Sequence, residues 1–202
     1  LNLTFYFDFG SPNAYLAHKV LPALAERTGL SVTYAPILLG GVFKLTGNRS
    51  PMEAFAGIKS KLAYEQLETR RFVARHGLIA YRQNPHFPVN TLTLMRMAVA
   101  AQDLGVFEAY VDSVFADMWE RGLKMDDPDV VRVALGEAGL PAADLLAGAG
   151  QDAVKARLIE GTAQAVDLGV FGAPSFLLGE ALYFGKDRLD EIERVARAGV
   201  AP

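Results

Sequence analysis

The chain has 202 residues and no cysteine, which excludes disulfides, thiolate metal sites and any redox thiol of its own. Hydrophobic residues make up 51%, enough for a sizeable core in one compact unit or in one domain with a large insertion. The formal charge is −3, charged residues of both signs are mixed along the chain, and neither a nucleic acid nor an anionic membrane surface is an expected partner.

Leu3, Phe5, Phe7 and Phe9 alternate with Thr4, Tyr6 and Asp8, the period-two pattern of a strand. Gly10 frees the backbone for a sharp turn. Ser11 offers an N-cap side chain, and Pro12 stands at the first helical position, where its missing N–H costs nothing. The helix that follows carries Leu16, Ala17, Val20, Leu21 and Leu24 on one stripe and stops at Gly29, with a kink expected at Pro22, where one backbone bond is lost. Ser31 to Ile37 reads as a second strand. The opening is therefore β-α-β, a parallel pair with a right-handed crossover.

From Leu38 to about Asp167 the pattern is helical. A loop over 38–51 leads into helices at about 51–75, 91–103, 106–121, 128–138 and 151–168. In the third of these, Phe107, Tyr110, Val111, Val114, Phe115 and Met118 trace a stripe that reads as core packing. Strands return at Gly172 to Leu178 and Ala181 to Phe184, joined by a Gly179-Glu180 hairpin turn, and Lys186 to Arg197 closes the chain as a helix. No apolar run is long enough to span a bilayer and no basic-then-apolar leader is present, so a soluble cytoplasmic protein is expected. The order of elements is the α/β thioredoxin plan: a βαβ–ββα fold over 1–37 and 169–202, with an all-α insertion over 38–168.

Three segments carry chemistry. Ser11 lies where a strand feeds a helix start, so it either caps that helix or faces an anion held by the converging amides. The reciprocal half of a capping box is missing, because the residue three positions on is Ala14. Gly172-Ala173-Pro174-Ser175 places a proline at a strand start, either an ordinary turn proline or a cis one. In a βαβ–ββα layout that strand start lies beside the first helix, where the backbone of Ala173 is free to pair with an extended peptide. In Phe184-Gly185-Lys186-Asp187-Arg188, Asp187 either caps the last helix or, with free amides, holds the ammonium and carboxylate of an amino acid. Together the three would hold an extended peptide whose thiol points at Ser11. No His-Asp relay accompanies Ser11, so a hydrolase nucleophile is not expected. His18 and His76 show no ligand spacing, and no metal is assigned.

The runs FYFDFGSPNAYLA, GVFKLTGNRSP, NPHFPVNTL, VFGAPSF and YFGKDRLDEI resemble, in order and over nearly the whole chain, the 2-hydroxychromene-2-carboxylate isomerase family. That family is related to the kappa-class glutathione transferases and, more distantly, to the DsbA-like oxidoreductases. The resemblance implies that Ser11 hydrogen-bonds the glutathione sulfur and that Ala173, before a cis Pro174, clamps the cysteinyl unit of the tripeptide. It implies that Phe184, Gly185, Lys186 and Asp187 hold the γ-glutamyl end, that Lys44 and Asn48 face the substrate and sulfur, and that Lys61 contacts glutathione. Asn84 to Phe87 match a wall of the acceptor pocket, with His86 and Phe87 as pocket residues. Relatives are often dimers, so a homodimer is expected.

The magnitudes suit a serine there. A helix N-terminus stabilises a thiolate by about 0.3–1 kcal/mol, up to about 2 when partly buried. A charge-assisted hydrogen bond adds roughly 1.5–3 kcal/mol. At about 1.36 kcal/mol per pKa unit, a thiol near 8.5 falls by about one to three units. The implied activity is a glutathione-dependent isomerisation of an unsaturated aromatic 2-oxo acid by reversible thiolate addition. The alternatives are a kappa-like transferase or peroxidase, whose product keeps or consumes the sulfur, and a non-catalytic thioredoxin-like peptide-binding module in which Ser11 is only a cap.

Overall fold

The computed structural model describes residues 1–199, so the last three residues of the expected 169–202 segment lie outside the described residues. Strand β1 (Asn2–Phe7) is the centre of a four-stranded sheet, which its sequence explains: Leu3, Phe5 and Phe7 are buried on one face and Tyr6 on the other. It pairs in parallel with β2 (Ser31–Pro36) and antiparallel with β3 (Ser175–Leu178), which pairs with β4 (Ala181–Phe184), giving the order β2-β1-β3-β4. The parallel pair needs a crossover, and α1 (Pro12–Thr28) supplies it, running unbroken through Pro22 and ending at Gly29 with φ 72°. This is an α/β thioredoxin-like fold with a mixed sheet.

Two layers of side chains hold the sheet. On one face Phe5 stacks on Phe176, Phe7 meets Phe9 and Phe115, and Tyr34 stands edge-on to Phe5, all in one core continuous with the helices between β2 and β3. On the other face Tyr6, Ile37, Val42, Ala165 and Val170 form a smaller cluster. The chain closes with a 3-10 turn, Lys186–Arg188, and α10 (Leu189–Ala198), which is tied to α1 by a two-bond Arg27–Glu193 pair.

The helices between β2 and β3 depart from expectation in three places. The stretch read as a loop contains α2 (Leu39–Thr46), whose glycines Gly40 and Gly41 disguise it and whose N-cap, Leu38, offers no side-chain bond. The segment expected as one helix at 51–75 is two, α3 (Pro51–Ala54) and α4 (Lys61–His76), separated by a bend that ends at Ser60 with φ 66°. After α5 (Leu92–Asp103) and α6 (Phe107–Ala116), the chain passes into a π-helical turn, Asp117–Arg121. Beyond α7 (Pro128–Glu137) lies α8 (Ala142–Gly150), absent from the sequence reading, and then α9 (Asp152–Asp167). A Cβ added at Gly148 of α8 would stand 2.7 Å from that of Ala100, so the small residues that weaken the helical signal are what lets α8 lie against α5. Among the described residues no helix is long and apolar enough to cross a membrane.

Candidate functional site

The turn after β1 brings Ser11 to the start of α1 with extended backbone, and its hydroxyl accepts from the Ala14 N–H at 3.1 Å as an ordinary N-cap. The same hydroxyl donates to the Ala173 carbonyl at 2.9 Å, a contact across 162 residues. Cap and proline strap are thus one hydrogen-bonded unit. The Ala173-Pro174 bond is cis, and the Ala173 N–H has no hydrogen-bond partner among the described residues. Ser11 is 6% exposed, so its hydroxyl is at the wall of the fold rather than on open surface.

The third segment joins through Gly185, whose N–H donates to the Pro174 carbonyl at 2.9 Å and whose φ of 93° favours glycine. Phe184 is exposed beside it and packs on Phe171 with centroids 4.5 Å apart. A Cβ on Gly172 would meet the Phe184 ring at 2.9 Å, which fixes glycine before Ala173. Asp187 presents a largely exposed carboxylate. Lys186 does not: its ammonium is buried, 2.6 Å from an Asp187 oxygen and 4.8 Å from the centre of the Phe72 ring on α4. It joins the closing turn to α4, a link with no local sequence signal.

The remaining candidates are arranged unevenly. Asn48 follows α2 and its side-chain amide donates to the Phe171 carbonyl at 2.8 Å, which sets it beside the strap. Lys44 is exposed on α2 and makes no ion pair among the described residues, and neither do Arg49 and Lys59. Lys61 is engaged on its own helix, paired with Glu65 and lying 4.9 Å from the centre of the Phe55 ring. No hydrogen bond or ion pair joins it to Ser11 or Ala173 among the described residues. His86 is exposed, with its backbone N–H on the Asn84 side chain. Phe87 is half-buried, 6.0 Å from Trp119 ring to ring. His18, which showed no ligand spacing in the sequence, is a packing residue: it stacks on Phe115 and spans Tyr34 and Asp112.

Several residues of this region escaped the sequence reading. Trp119, in the π-helical turn, donates its indole N–H to the Phe9 carbonyl at 2.8 Å, directly beneath the Gly10-Ser11 turn. Asn84, read as a pocket wall, is buried and donates to the Met118 and Leu123 carbonyls, bracing that π turn. Tyr15 donates to Glu120 at 2.9 Å, and burial, with the Glu120 charge, pushes its phenol well above the usual range. Asp8 is fully buried and accepts from the Gly10 N–H (2.8 Å), the Leu39 N–H (2.8 Å) and the Thr91 hydroxyl (2.7 Å). Burial pushes its carboxyl up and these three donors pull it back. The signal was a lone acid in an apolar strand pattern, which by itself names no partner.

The profile of the DSBA-like thioredoxin domain family matches residues 2–196. The chain is 30% identical to a 2-hydroxychromene-2-carboxylate isomerase of Sphingobium xenophagum, with 95% of each chain covered. It is 27% identical to glutathione S-transferase kappa 1 of Caenorhabditis elegans, over 92% of this chain and 86% of the other. A solved 2-hydroxychromene-2-carboxylate isomerase superposes with a TM-score of 0.81 at 28% identity, covering 98% of both chains.

Proposed function

This chain belongs to the DSBA-like thioredoxin domain family and, within it, to the 2-hydroxychromene-2-carboxylate isomerases, and on that premise we propose that it is a glutathione-dependent isomerase of an unsaturated aromatic 2-oxo acid. The observation that carries the reading is the single bonded unit of Ser11 and Ala173 at the head of α1, in a chain with no thiol of its own. Glutathione fits it. The Ala173 N–H, without a partner among the described residues and beside cis-Pro174, suits the backbone of an extended tripeptide, and Asp187 with the amides after Gly185 suits the ammonium and carboxylate of its γ-glutamyl end. The kappa-class relatives, glutathione transferases by name, support the same cofactor.

Bound glutathione would supply a thiolate nucleophile, the chemistry needed to add reversibly to the conjugated carbon–carbon bond and let it rotate. The chain does the rest. Ser11 exchanges its bond to the Ala173 carbonyl for one to the sulfur, and the amides of the α1 N-terminus stabilise negative charge there. Lys44, a cation with no ion pair among the described residues, holds the substrate carboxylate or the oxygen on which charge develops, and Asn48 moves from the Phe171 carbonyl to hydrogen-bond near the reacting centre. The half-buried Phe87 and the exposed His86 line the acceptor side in this reading, and the paired, exposed rings of Phe171 and Phe184 offer apolar surface beside the strap. In this reading residues 1–37 with 169–202 are the glutathione unit, 38–168 the helical insertion that shapes the acceptor side, and the protein works as a cytoplasmic homodimer.

The experiment is a glutathione titration at fixed pH, following binding and thiolate ultraviolet absorbance on the wild type and Ser11→Ala, followed by turnover of an unsaturated aromatic 2-oxo acid. The expected result is saturable binding, a depressed thiol pKa that rises by about one to two units in Ser11→Ala, and glutathione released unchanged from the product. A product that retains the sulfur turns the assignment to a kappa-like transferase. No binding, or a thiol indifferent to Ser11, overturns it in favour of a peptide-binding module.

A further inference from the structure

The function proposed above uses Ser11, Ala173, Lys44 and Asn48, and leaves unexplained why a fully buried carboxylate stands three residues before Ser11. Asp8 follows the last residue of β1 in an otherwise apolar setting, and its three donors come from three separate elements. The Gly10 N–H belongs to the turn that presents Ser11. The Leu39 N–H is the first of α2, the helix that carries Lys44. The Thr91 hydroxyl is at the start of α5, at the end of the 84–91 loop that carries His86 and Phe87.

Two further facts give these contacts direction. Helix α2 has no cap of its own: Leu38 contributes no side-chain bond, and the first amides are taken by tertiary groups, Leu38 N–H by Thr162 at 3.1 Å and Leu39 N–H by Asp8. The knot is also tight, because a Cβ at Gly10 would lie 3.3 Å from both the Asp8 carboxylate and the Thr91 methyl. A carboxylate meets all three donors and sits at three helix starts whose dipoles favour its charge. An amide in its place has one acceptor atom.

We propose that Asp8 is a positioning residue: as the remote N-cap of α2, bonded at the same time to the Ser11 turn and to Thr91, it sets where Lys44 stands relative to the sulfur site. This rests on the reading of Lys44 as the contact for an anionic acceptor, and the test separates the two. In Asp8→Asn the amide oxygen keeps the Gly10 and Thr91 donors, and its NH2 group confronts the Leu39 N–H, donor against donor. The variant therefore releases α2 while leaving the Ser11 turn in place. Leu39→Pro removes the same bond from the other partner, at a first helical position where proline is tolerated, and serves should Asp8→Asn fail to fold.

Hydrogen exchange and steady-state kinetics are measured on both variants and the wild type. The expected result is exchange at least about tenfold faster over Leu39–Thr46 with Pro12–Thr28 unchanged, a KM for the 2-oxo acid up roughly tenfold, and an unaltered pKa of bound glutathione. Thr91→Val keeps both amide bonds and leaves α2 exchange as in the wild type. Unchanged exchange in α2, or acceleration spread evenly over the chain, overturns the proposal. Faster exchange confined to α2 with an unchanged KM upholds Asp8 as the positioning residue and overturns the role of Lys44.

Discussion

The two banks of the candidate site are built in opposite ways. Around Ser11 nearly every group is buried and bonded: the hydroxyl to Ala14 and Ala173, the Phe9 carbonyl to Trp119, and Gly185 to Pro174. Residues 44–60, which reach the strap through Asn48, are almost all exposed, with Leu45, Met52 and Ile58 more than half exposed and Lys44, Arg49 and Lys59 free of ion pairs among the described residues. The first bank is held by backbone geometry, which suits a cofactor of invariant shape. The second is a set of side chains on a short helix and a bend, which suits an acceptor whose fit is set by side-chain identity. Damage to the first should cost stability and sulfur chemistry together, and damage to the second should cost acceptor affinity alone.

The sharpest way to break this contrast is Trp119→Ala. It empties a fully buried ring and orphans the Phe9 carbonyl, so a loss of about 3–5 kcal/mol is expected in urea denaturation. Met52→Ala on the other bank should stay within about 0.5 kcal/mol. If the two changes cost the same, the distinction fails.

Ser11→Ala comes next, since it removes a cap and, under the proposed function, a sulfur contact at once. The cap alone is worth about 1 kcal/mol of stability, and the expectation is that this loss and the rise in bound-thiol pKa appear in the same variant. Lys44→Ala should be smaller and cleaner: KM for the 2-oxo acid up about tenfold, with thermal midpoint and thiol pKa as in the wild type. Turnover unchanged at low substrate removes Lys44 from the site.

The smallest effect lies away from both banks and calibrates them. Glu193 is held down to about 2 by its bonds to Arg27 and the nearby Arg197 charge. A depressed carboxyl contributes stability above its ordinary pKa and loses it as the pH falls from about 4.5 towards 2. Glu193→Gln should flatten that part of the acid-unfolding curve slightly and leave glutathione binding at neutral pH unmoved.

How much of this was legible depends on the kind of signal. The alternation Leu3-Phe5-Phe7-Phe9 and the Ser11-Pro12 start are local patterns, and β1 and α1 fall where those patterns put them. The pair Gly179-Glu180 likewise marks the β3–β4 turn. Helices α2 and α8 were missed because Gly40, Gly41 and Gly148 read as weak helix formers, and their stability comes from elsewhere: caps from Asp8 and Thr162 for α2, close packing on Ala100 for α8. The bend after α3 was missed because Ser60 adopts a left-handed conformation that its identity does not announce.

By itself, the sequence determined the order of the four strands and the flanking helices α1 and α10, the absence of a protein thiol, and the three segments that come together around Ser11 and the strap. These follow from periodicity, composition and turn chemistry, which act between neighbours in the chain. Only the tertiary structure decided that the Ser11 hydroxyl is shared between Ala14 and Ala173, that Trp119 braces the turn from beneath, and that Asp8 joins Gly10, Leu39 and Thr91. The reason is physical: a buried donor or acceptor must find a partner wherever the fold supplies one, and partners 31, 83 or 162 residues away leave no trace in local spacing.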